Sequence, residues 1–349
     1  MAFHVTVEYD RREPGEDVIA GLEPLYEDPE IEISYLSRDR GPELEPEDLE
    51  GADAYVSYAY DLTADSLEGV ESLKLASRSG AGYENFDLDA MTDHDVIATH
   101  APQGPTASAA QAATGMIIAC AHNFPRFEHE LRERGRAGRI PENFGFELQS
   151  ATVGFVGMGL IGAKVLSNLG PFREDGLEAQ VYDPYMPEER AAELGVEKVD
   201  LDTLLGTSDV ITIHVPLTNE THHMLGVAAF ERMRDSAYLV NTSRGGIYPD
   251  AELAAALESG ELRGAAIDVF EDEPEVEGNP LLDIDDILVL PHVAGLTTDA
   301  IRRMHELMCE SIVNLKNGEP PINVLNPSAY EAQTGETLPE ESRSPSFRE

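Results

Sequence analysis

The chain has 349 residues, of which 42% are hydrophobic, so it is long enough for two domains and apolar enough for a sizeable core. Its 67 acidic residues outnumber its 24 basic residues and give a formal net charge of −43, which excludes nucleic-acid binding through a general basic surface. The acidic residues recur along the whole chain, a pattern typical of surfaces adapted to high salt, where screening weakens their mutual repulsion.

Five short apolar runs in residues 1–106 predict strands, each bounded by Gly, Pro or Asp. They are HVTVEY, IEISYL, AYVSYAY, LKLASRS and VIATHA. The segment DLDAMTDHDV predicts a helix between the last two of these strands. Residues 107–122 predict a longer helix that is apolar almost all round. A helix of that kind is normally buried, so we expect it to link two lobes of the protein.

Six more strands are predicted in a second series, and helix-like stretches separate them. They cover residues 152–156, 179–183, 209–215, 237–241, 264–270 and 287–292. Strands that alternate with helices form parallel sheets, so the chain is predicted to be an α/β protein. The segment from about residue 330 is polar and acidic, which predicts a loop or a disordered tail unless it lies against the body of the protein or a neighbouring subunit.

The two cysteines, Cys120 and Cys309, lie in apolar segments, which predicts free buried thiols and no disulfide or metal site. His222 and His223 are adjacent and lack a partner ligand at metal spacing, so we interpret them as a detail of a loop. The N-terminus has no signal-peptide pattern, and no apolar run has the length of a membrane span. We therefore expect a cytoplasmic protein with no membrane partner.

A glycine-rich segment, TVGFVGMGLIG, suggests a cofactor site. Gly157, Gly159 and Gly162 come directly after a predicted strand and before a helix. Such glycines allow a tight turn and the close approach of a pyrophosphate to the helix N-terminus. Asp183 ends the next predicted strand, where an acidic side chain can bind the ribose hydroxyls. Asp183 favours NAD, whereas Arg190 could cover the extra phosphate of NADP, so both cofactors remain open.

Three polar residues follow or end later strands of the second series. Arg244 lies in VNTSRGG, Glu273 in DVFEDEP and His292 in LPHVAG. Residues that follow parallel strands lie at one edge of the sheet, which is also the edge where a dinucleotide binds. We therefore expect these three side chains to converge beside the nicotinamide.

These three residue types suit the reduction of a carbonyl group. Hydride transfer leaves negative charge on oxygen, and histidine, with an ordinary pKa of about 6.5, is a suitable proton donor. A carboxylate at the far ring nitrogen, here Glu273, would orient His292 and stabilise its imidazolium form. Arg244 has a planar fork that matches a carboxylate and can also polarise a neighbouring carbonyl. A 2-oxo acid carries both groups on adjacent carbons.

On these motifs the sequence resembles the D-isomer-specific 2-hydroxyacid dehydrogenases, which include D-lactate, glyoxylate/hydroxypyruvate and phosphoglycerate dehydrogenases. The resemblance covers residues 50 to about 325 and rests on SGAGYENFD, GFVGMGLIG, HVPLTNET, VNTSRGG, DVFEDEP and LPHVAG. It implies two Rossmann-like lobes, with an NAD(P)-binding domain at residues 107–298 inserted into a flavodoxin-like substrate domain of residues 1–106 and 299–349. It also implies a homodimer.

The resemblance further implies which residues bind the cofactor and the substrate. In the substrate site, Ala81 and Gly82 would offer backbone N–H groups to the carboxylate, and Arg244 and His292 would contact the reacting groups. Tyr58 and Ala59, at the end of a predicted strand, would line the side-chain pocket. Asp268 would contact the nicotinamide carboxamide. The expected cofactor contacts are Thr106, Gly157, Gly159, Leu160, Ile161, Gly162, Asp183, Val215, Pro216, Thr221, Thr242 and Asp268.

The sequence also departs from the family pattern. Leu160 stands where an arginine often contacts the pyrophosphate, His100 replaces a common asparagine, and Gln111 replaces a glutamate. None of these changes removes a predicted catalytic group. The small and aromatic residues after the third strand, without a spare cation, argue against a phosphorylated substrate and favour small or aliphatic 2-oxo acids.

The predicted function is therefore the reversible, NAD(P)H-dependent reduction of a 2-oxo acid to the (R)-2-hydroxy acid. One alternative is a formate- or phosphite-type dehydrogenase on the same fold, although formate enzymes usually carry glutamine where this chain has Glu273. Another is a nucleotide-sensing corepressor that kept the fold without turnover, against which the intact Arg–Glu–His set argues.

Overall fold

The structure is a computed structural model that describes residues 2–9, 18–36, 43–135 and 144–345. Its strands are β1 (Phe3–Val7), β2 (Ile31–Tyr35), β3 (Ala54–Ser57), β4 (Leu75–Arg78), β5 (Ile97–His100), β6 (Thr152–Val156), β7 (Glu178–Tyr182), β8 (Glu197–Lys198), β9 (Val210–Ile213), β10 (Tyr238–Asn241), β11 (Gly264–Ile267) and β12 (Leu288–Val289). Its α-helices are α1 (Glu23–Glu27), α2 (Pro46–Leu49), α3 (Leu88–Asp93), α4 (Gln103–Ala121), α5 (Phe124–Arg134), α6 (Leu160–Asn168), α7 (Gly170–Glu174), α8 (Glu188–Leu194), α9 (Leu201–Thr207), α10 (Val227–Phe230), α11 (Asp250–Ser259), α12 (Thr298–Lys316) and α13 (Pro327–Thr334).

The chain divides into two compact units. The first unit comprises residues 1–105 and 297–349, and the second comprises residues 106–296. Thr106 therefore belongs to the second unit and residues 297–298 to the first, on the other side of the boundaries expected from the sequence.

The first unit is built on a five-stranded parallel sheet with the order β2-β1-β3-β4-β5. This is the strand order of flavodoxin-like sheets. Val5 in β1 pairs with Ile33 in β2 and Ala54 in β3. Tyr55 and Val56, neighbours in β3, belong to two different apolar clusters. Both faces of the sheet are therefore covered, because successive strand residues point to opposite sides.

The second unit contains a seven-stranded parallel sheet with the order β12-β11-β10-β9-β6-β7-β8. Every residue of β9, β10 and β11 is buried, which explains their continuous apolar runs. The chain leaves β6 for β7 on one side and continues later in β9 on the other. Ligands of such sheets bind at this switch point, outside the carboxyl ends of the strands. The predicted fold class, an α/β protein with two Rossmann-like sheets, is confirmed.

All eleven strands predicted from the sequence are present, although several are shorter than predicted. The strands expected at 209–215 and 264–270 end at Ile213 and Ile267, because the residues that follow form loops at the edge of the sheet. Strand β8 was not predicted, since its two residues, Glu197 and Lys198, carry no apolar pattern. The long buried helix is α4, which begins at Gln103.

The C-terminal segment is ordered against the first unit, so the prediction of disorder is wrong for residues 330–345, although residues 335–339 do form a loop. Helix α13 extends to Thr334, and Leu338 and Ser344 are buried. Val324 N–H donates to Ser342 O, and Ser344 N–H donates to Val324 O, both at 2.9 Å. The alternative expectation, that the tail lies against the body of the protein, is confirmed for these residues. Residues 346–349 lie outside the described part of the chain.

The two cysteines are free and buried, as predicted. Burial raises the pKa of Cys120 and of Cys309 to about 12, so both thiols stay protonated near neutral pH. Among the helices of the described residues, none combines the length and the apolar character that crossing a membrane requires.

Candidate active site

The glycine-rich segment forms a tight turn between β6 and α6. Gly157 has a φ of +88°, and a Cβ on it would lie 2.7 Å from Val215 Cγ1. A Cβ on Gly162 would lie 2.8 Å from Gly157 O, so the helix can approach the strand only without a side chain there. Apart from its chain neighbours, no heavy atom of the described residues lies within 4 Å of the corresponding position on Gly159, the N-cap of α6. The turn therefore leaves open space at the helix N-terminus, where anions bind.

Asp183 follows β7 and is held by two backbone groups. Its Oδ2 accepts a hydrogen bond from Met158 N–H, and its Oδ1 accepts one from Tyr185 N–H, both at 3.0 Å. The first of these bonds ties the carboxylate to the glycine turn. The acidic residue that the sequence singled out is thus fixed beside that turn.

A cavity of about 600 Å³ lies at the carboxyl ends of β6, β7 and β9. Its walls bring together six of the predicted cofactor residues, namely Gly157, Gly159, Asp183, Val215, Pro216 and Thr221. The other predicted cofactor residues, Thr106, Leu160, Ile161, Gly162, Thr242 and Asp268, are not among its walls.

The same cavity has walls that the sequence did not identify. They are Met158, Tyr182, Pro184, Tyr185, His214, Thr218, Asn219, Glu220 and Met224. The segment HVPLTNET was a signal for this loop, but it did not indicate which side chains face the cavity. Burial lowers the pKa of His214 to about 3, so the ring is neutral at pH 7, and its Nε2 lies 3.0 Å from Thr212 Oγ1.

Thr242, directly after β10, has a buried side-chain hydroxyl that makes no hydrogen bond within the described residues. Buried polar atoms in proteins are normally paired, so such a hydroxyl at the carboxyl edge of the sheet suits a ligand with a polar group there. Together with the open space beside Gly159 and the adjoining cavity, the residues of the second unit fit a dinucleotide.

Arg244 lies in a turn that side chains and packing hold in place. Asn241, the last residue of β10, accepts a hydrogen bond from Ser243 N–H at 2.9 Å and donates one to Arg244 O at 2.8 Å. A Cβ on Gly245 would lie 1.8 Å from Phe270 O, so the turn packs directly on the segment after β11. Only glycine allows this approach, which explains the RGG sequence.

Glu273 and His292 form a direct pair. His292 Nδ1 and Glu273 Oε2 are 2.5 Å apart, and Glu273 Oε1 accepts a hydrogen bond from Phe270 N–H at 2.9 Å. Burial raises the pKa of Glu273, but the bonds from His292 and Phe270 and the positive charge of Arg244 outweigh it, so the pKa lies below its usual value. The carboxylate is therefore ionised at pH 7. Both residues border an apolar cavity of about 290 Å³.

Asp268 fixes the loop that carries His292. Its carboxylate is 1% exposed and accepts hydrogen bonds from Val293 N–H at 2.8 Å and Ala294 N–H at 2.9 Å. His292 N–H donates to Asp268 O at 2.8 Å. These bonds hold His292 at a φ of +54°. Asp268 thus has a structural role that the sequence did not reveal, and its contact with a nicotinamide carboxamide stays a prediction.

In the first unit, the loop after β3 is organised by a buried carboxylate, Glu8. It accepts hydrogen bonds from Tyr55 OH at 2.9 Å and from the N–H groups of Tyr58, Ala59 and Tyr60 at 2.7, 2.8 and 3.1 Å. The Tyr58 ring is 4% exposed and packs against Tyr9 and His305. Its burial in the core disfavours the prediction that Tyr58 lines a substrate pocket, whereas Tyr60 is only half-buried and Ala59 is exposed.

Ala81 and Gly82 lie in the turn after β4. Ala101 N–H donates to Gly80 O at 2.9 Å, and Ala81 O lies 2.8 Å from His100 Nδ1. Gly80 has a φ of +116°. The predicted carboxylate-binding turn is therefore held on one side by the residues that end β5.

The expectation that His222 and His223 lack a partner ligand is wrong. His223 Nε2 lies 2.6 Å from Glu271 Oε1, and the two imidazole rings stack at 3.8 Å. The possible ligand atoms of the three residues lie within 4.8 Å of one another. Sequence spacing did not reveal the partner, because Glu271 lies 48 residues further along the chain. The contact between His223 and Glu271 connects the loop after β9 to the loop after β11.

The fold and the site define a dinucleotide-binding α/β protein with a histidine–carboxylate pair. Residues 114–294 match the family described as D-isomer specific 2-hydroxyacid dehydrogenase, NAD binding domain. The chain is 38% identical over 265 residues to the D-3-phosphoglycerate dehydrogenase of Archaeoglobus fulgidus, which covers 75% of this chain and 49% of that protein. It is 35% identical over 283 residues to the glyoxylate reductase of Korarchaeum cryptofilum, and the match covers 80% of this chain and 84% of that protein. Among solved structures, that of the D-lactate dehydrogenase of Aquifex aeolicus, complexed with NAD and lactic acid, is similar with a TM-score of 0.76 and 27% sequence identity. The similarity covers 90% of this chain and 96% of that chain.

The chain therefore belongs to the D-isomer specific 2-hydroxyacid dehydrogenase family, and residues 114–294 form an NAD-binding domain of that family. It spans about half the length of the phosphoglycerate dehydrogenases that it matches.

Proposed function

We propose that the protein catalyses the reversible reduction of a 2-oxo acid to the (R)-2-hydroxy acid. The observation that carries this proposal is the 2.5 Å contact between His292 Nδ1 and Glu273 Oε2, in a position where the charge of Arg244 also acts on Glu273. His292 can donate a proton, and the Glu273 carboxylate stabilises its protonated form. The planar guanidinium of Arg244 can bind an anionic substrate through two parallel hydrogen bonds.

Each of the three residues has a separate task in this reaction. The nicotinamide supplies the hydride when the cofactor is bound. His292 donates a proton to the carbonyl oxygen, and Glu273 orients the ring and stabilises its charged form through the bond to Nδ1. That bond leaves Nε2 as the ring atom that faces the substrate. Arg244 binds the substrate carboxylate and polarises the adjacent carbonyl.

The first unit is proposed to be the substrate domain and the second the cofactor domain. In the first unit, the N–H groups of Ala81 and Gly82 would bind the substrate carboxylate, and Ala59 would border the side chain of the substrate. Glu8 already occupies the N–H groups of residues 58–60, so we do not assign them to a substrate anion. No lysine or arginine lies among residues 58–60 or 79–83, which favours a small 2-oxo acid over a phosphorylated one.

We propose NAD(H) rather than NADP(H) as the preferred cofactor. Asp183 and Glu220 both line the cavity beside the glycine turn, and two carboxylates there would repel an extra phosphate. Arg190, which could have covered that phosphate, lies outside the cavity walls and pairs with Glu193 at 3.0 Å. A kcat/KM for NADH well above that for NADPH would support this preference, and the reverse ratio would contradict it.

A homodimer and a cytoplasmic location remain predictions. In support of the dimer, Phe124, Leu131 and Phe144 in the second unit are about half exposed, at 54%, 49% and 53%. Exposed apolar side chains of this size commonly mark a protein interface. Light scattering should give twice the mass of the chain, and a Leu131→Glu variant should shift the protein towards the monomer.

The decisive experiment is a spectrophotometric assay with a panel of 2-oxo acids at high KCl. Oxidation of NADH with a small or aliphatic 2-oxo acid is the expected result. Reduction of NAD with formate or phosphite instead would favour the alternative enzyme on the same fold. NADH binding without turnover of any of these compounds would favour the nucleotide-sensing alternative.

A further inference from the structure

The C-terminal segment, residues 338–345, reaches the interior of the first unit. Ser342 and Ser344 pair with the backbone of Val324 on both sides, and Val324 pairs in turn with Thr99 of β5. Ser344 is fully buried. This register fixes the Ser344 side chain beside the end of β5.

Ser344 is hydrogen-bonded to His100, the last residue of β5. His100 Nε2 and Ser344 Oγ are 2.6 Å apart, and His100 Nδ1 and Ala81 O are 2.8 Å apart. A carbonyl oxygen can only accept, so His100 Nδ1 must carry the proton. Burial lowers the pKa of His100 to about 4, which makes the ring neutral at pH 7. Nε2 is then an acceptor, and the Ser344 hydroxyl donates to it.

The bond from His100 also determines where the next N–H group points. Ala81 C=O and Gly82 N–H belong to one planar trans peptide, so they point in opposite directions. With the carbonyl held by His100 Nδ1–H, the Gly82 N–H is directed away from β5. The preceding peptide is held as well, because Gly80 O accepts from Ala101 N–H at 2.9 Å.

We propose that Ser344 is a positioning residue for the substrate carboxylate. Its hydroxyl donates to His100 Nε2 and so stabilises the Nδ1–H tautomer, this tautomer holds the Ala81 carbonyl, and the held carbonyl orients the Gly82 N–H. The inference rests on the proposed function, in which that N–H binds a 2-oxo acid. It assigns a role to the C-terminal segment and to the histidine that replaces the asparagine common in the family.

The kinetic test compares Ser344→Ala with Ser342→Ala, a buried serine two residues earlier in the same segment. Ser344→Ala should raise the KM for the 2-oxo acid about tenfold, the effect of one misaligned hydrogen bond to a charged group, with a smaller change in kcat and an unchanged Kd for NADH. Ser344→Cys keeps a weak hydrogen-bond donor, so its KM for the 2-oxo acid should lie between those of the wild type and Ser344→Ala. Ser342→Ala should behave as the wild type does.

A spectroscopic test reads the hydrogen-bond chain directly. In protein labelled with ¹⁵N-histidine, the His100 signals, identified by their loss in His100→Asn, should show the Nδ1–H tautomer. Ser344→Ala should shift the Nε2 signal, whereas Ser342→Ala should not.

Identical His100 signals and an unchanged KM in Ser344→Ala would overturn the inference, as would equal losses of kcat, substrate affinity and NADH affinity. If the wild type reduces a 2-oxo acid and Ser344→Ala matches it, only this inference fails; if the wild type reduces none, the proposed function fails first.

Discussion

Glu8, which is buried, and Glu273, which is partly exposed, show how the donors around a carboxylate decide its role. Glu8 is saturated by a tyrosine hydroxyl and three backbone N–H groups, so it acts as an internal anchor for the loop after β3. Glu273 receives one backbone N–H on one oxygen and an imidazole on the other. Only Glu273 is bonded to a group that can carry a proton to a substrate. The same side chain therefore serves structure in one unit and, as proposed, chemistry in the other.

Replacing His292 with Ala tests the proton donor. We expect kcat to fall about 10²- to 10⁴-fold, the usual contribution of a general acid, because the ring that would protonate the carbonyl oxygen is removed. The Kd for NADH should change little, since His292 is not part of the cofactor cavity. Steady-state kinetics and NADH fluorescence titration measure the two quantities. His4→Ala, at an exposed histidine of the other unit, is the control, and equal losses of turnover and cofactor affinity would indicate a structural histidine instead.

Replacing Arg244 with Lys tests the planar fork. A lysine keeps the charge but cannot make two parallel hydrogen bonds, so kcat/KM for the 2-oxo acid should fall roughly 10- to 100-fold. Most of the loss should appear in KM for the oxo acid and not in KM for NADH. The variant Arg232→Lys, at an exposed ion pair with Asp202, should leave all constants unchanged. A fully active Arg244→Lys enzyme would refute the role assigned to the guanidinium.

At the scale of elements, the turns after the strands place the candidate site. The turn at Arg244 depends on Gly245, whose missing side chain lets the turn touch the backbone at Phe270. The loop after β12 depends on Asp268, which binds the backbone on the far side of His292. The loops after β10, β11 and β12 are thus linked to one another by short backbone contacts. A disturbance in one of them should reach all three proposed catalytic residues.

Gly245→Ala tests this coupling between loops. A Cβ there would lie 1.8 Å from Phe270 O, so the backbone must move, at a cost of about 1–3 kcal/mol in the free energy of unfolding. We expect kcat/KM to fall more than the loss of stability explains, because Arg244 and the segment that leads to Glu273 move together. Gly170→Ala is the matched control, since its Cβ would meet no heavy atom of the described residues within 4 Å beyond its chain neighbours. Wild-type activity and stability in Gly245→Ala would contradict the packing described for this turn.

The sequence was sufficient for the strands and for the residues that follow them. Apolar runs separated by helices indicated all eleven strands that were predicted, because parallel strands are buried on both faces and show continuous apolar patterns. Arg244, Glu273 and His292 were identifiable because each lies at or shortly after the carboxyl end of such a strand. Glu8 was not identifiable, since it is one of 67 acidic residues and its donors lie about fifty positions further on. Composition alone did not decide between a disordered C-terminal segment and one that lies against the protein, because the segment is polar and Ser344 bonds a histidine 244 positions away.

At the scale of the whole molecule, charge is the dominant feature. The formal net charge of −43 cannot be balanced internally, because 24 basic residues face 67 acidic ones. Many acidic side chains are exposed, as in α8, which begins with Glu188 and Glu189, and in the loop at 271–277. Their repulsion acts on the folded state more than on the expanded unfolded chain, since folding brings them closer together. Both units should therefore depend on the ionic strength of the solvent.

The salt dependence of unfolding tests whether this surface is adapted to high salt. Raising KCl from about 0.1 M to 1 M shortens the Debye length from about 10 Å to about 3 Å, so repulsion between neighbouring carboxylates should largely vanish. Each 1 kcal/mol of repulsion removed should raise Tm by roughly 2–4 °C for a unit of this size. Calorimetry across a KCl series should show a steady rise in Tm. Sucrose at matched osmolality does not screen charge, so Tm should not follow the same curve in a sucrose series. The double variant Glu188→Gln with Glu189→Gln should weaken the dependence, because fewer charges remain to be screened. A Tm that is the same in dilute buffer and in molar KCl would mean that the acidic surface has a different purpose, such as contact with a basic partner.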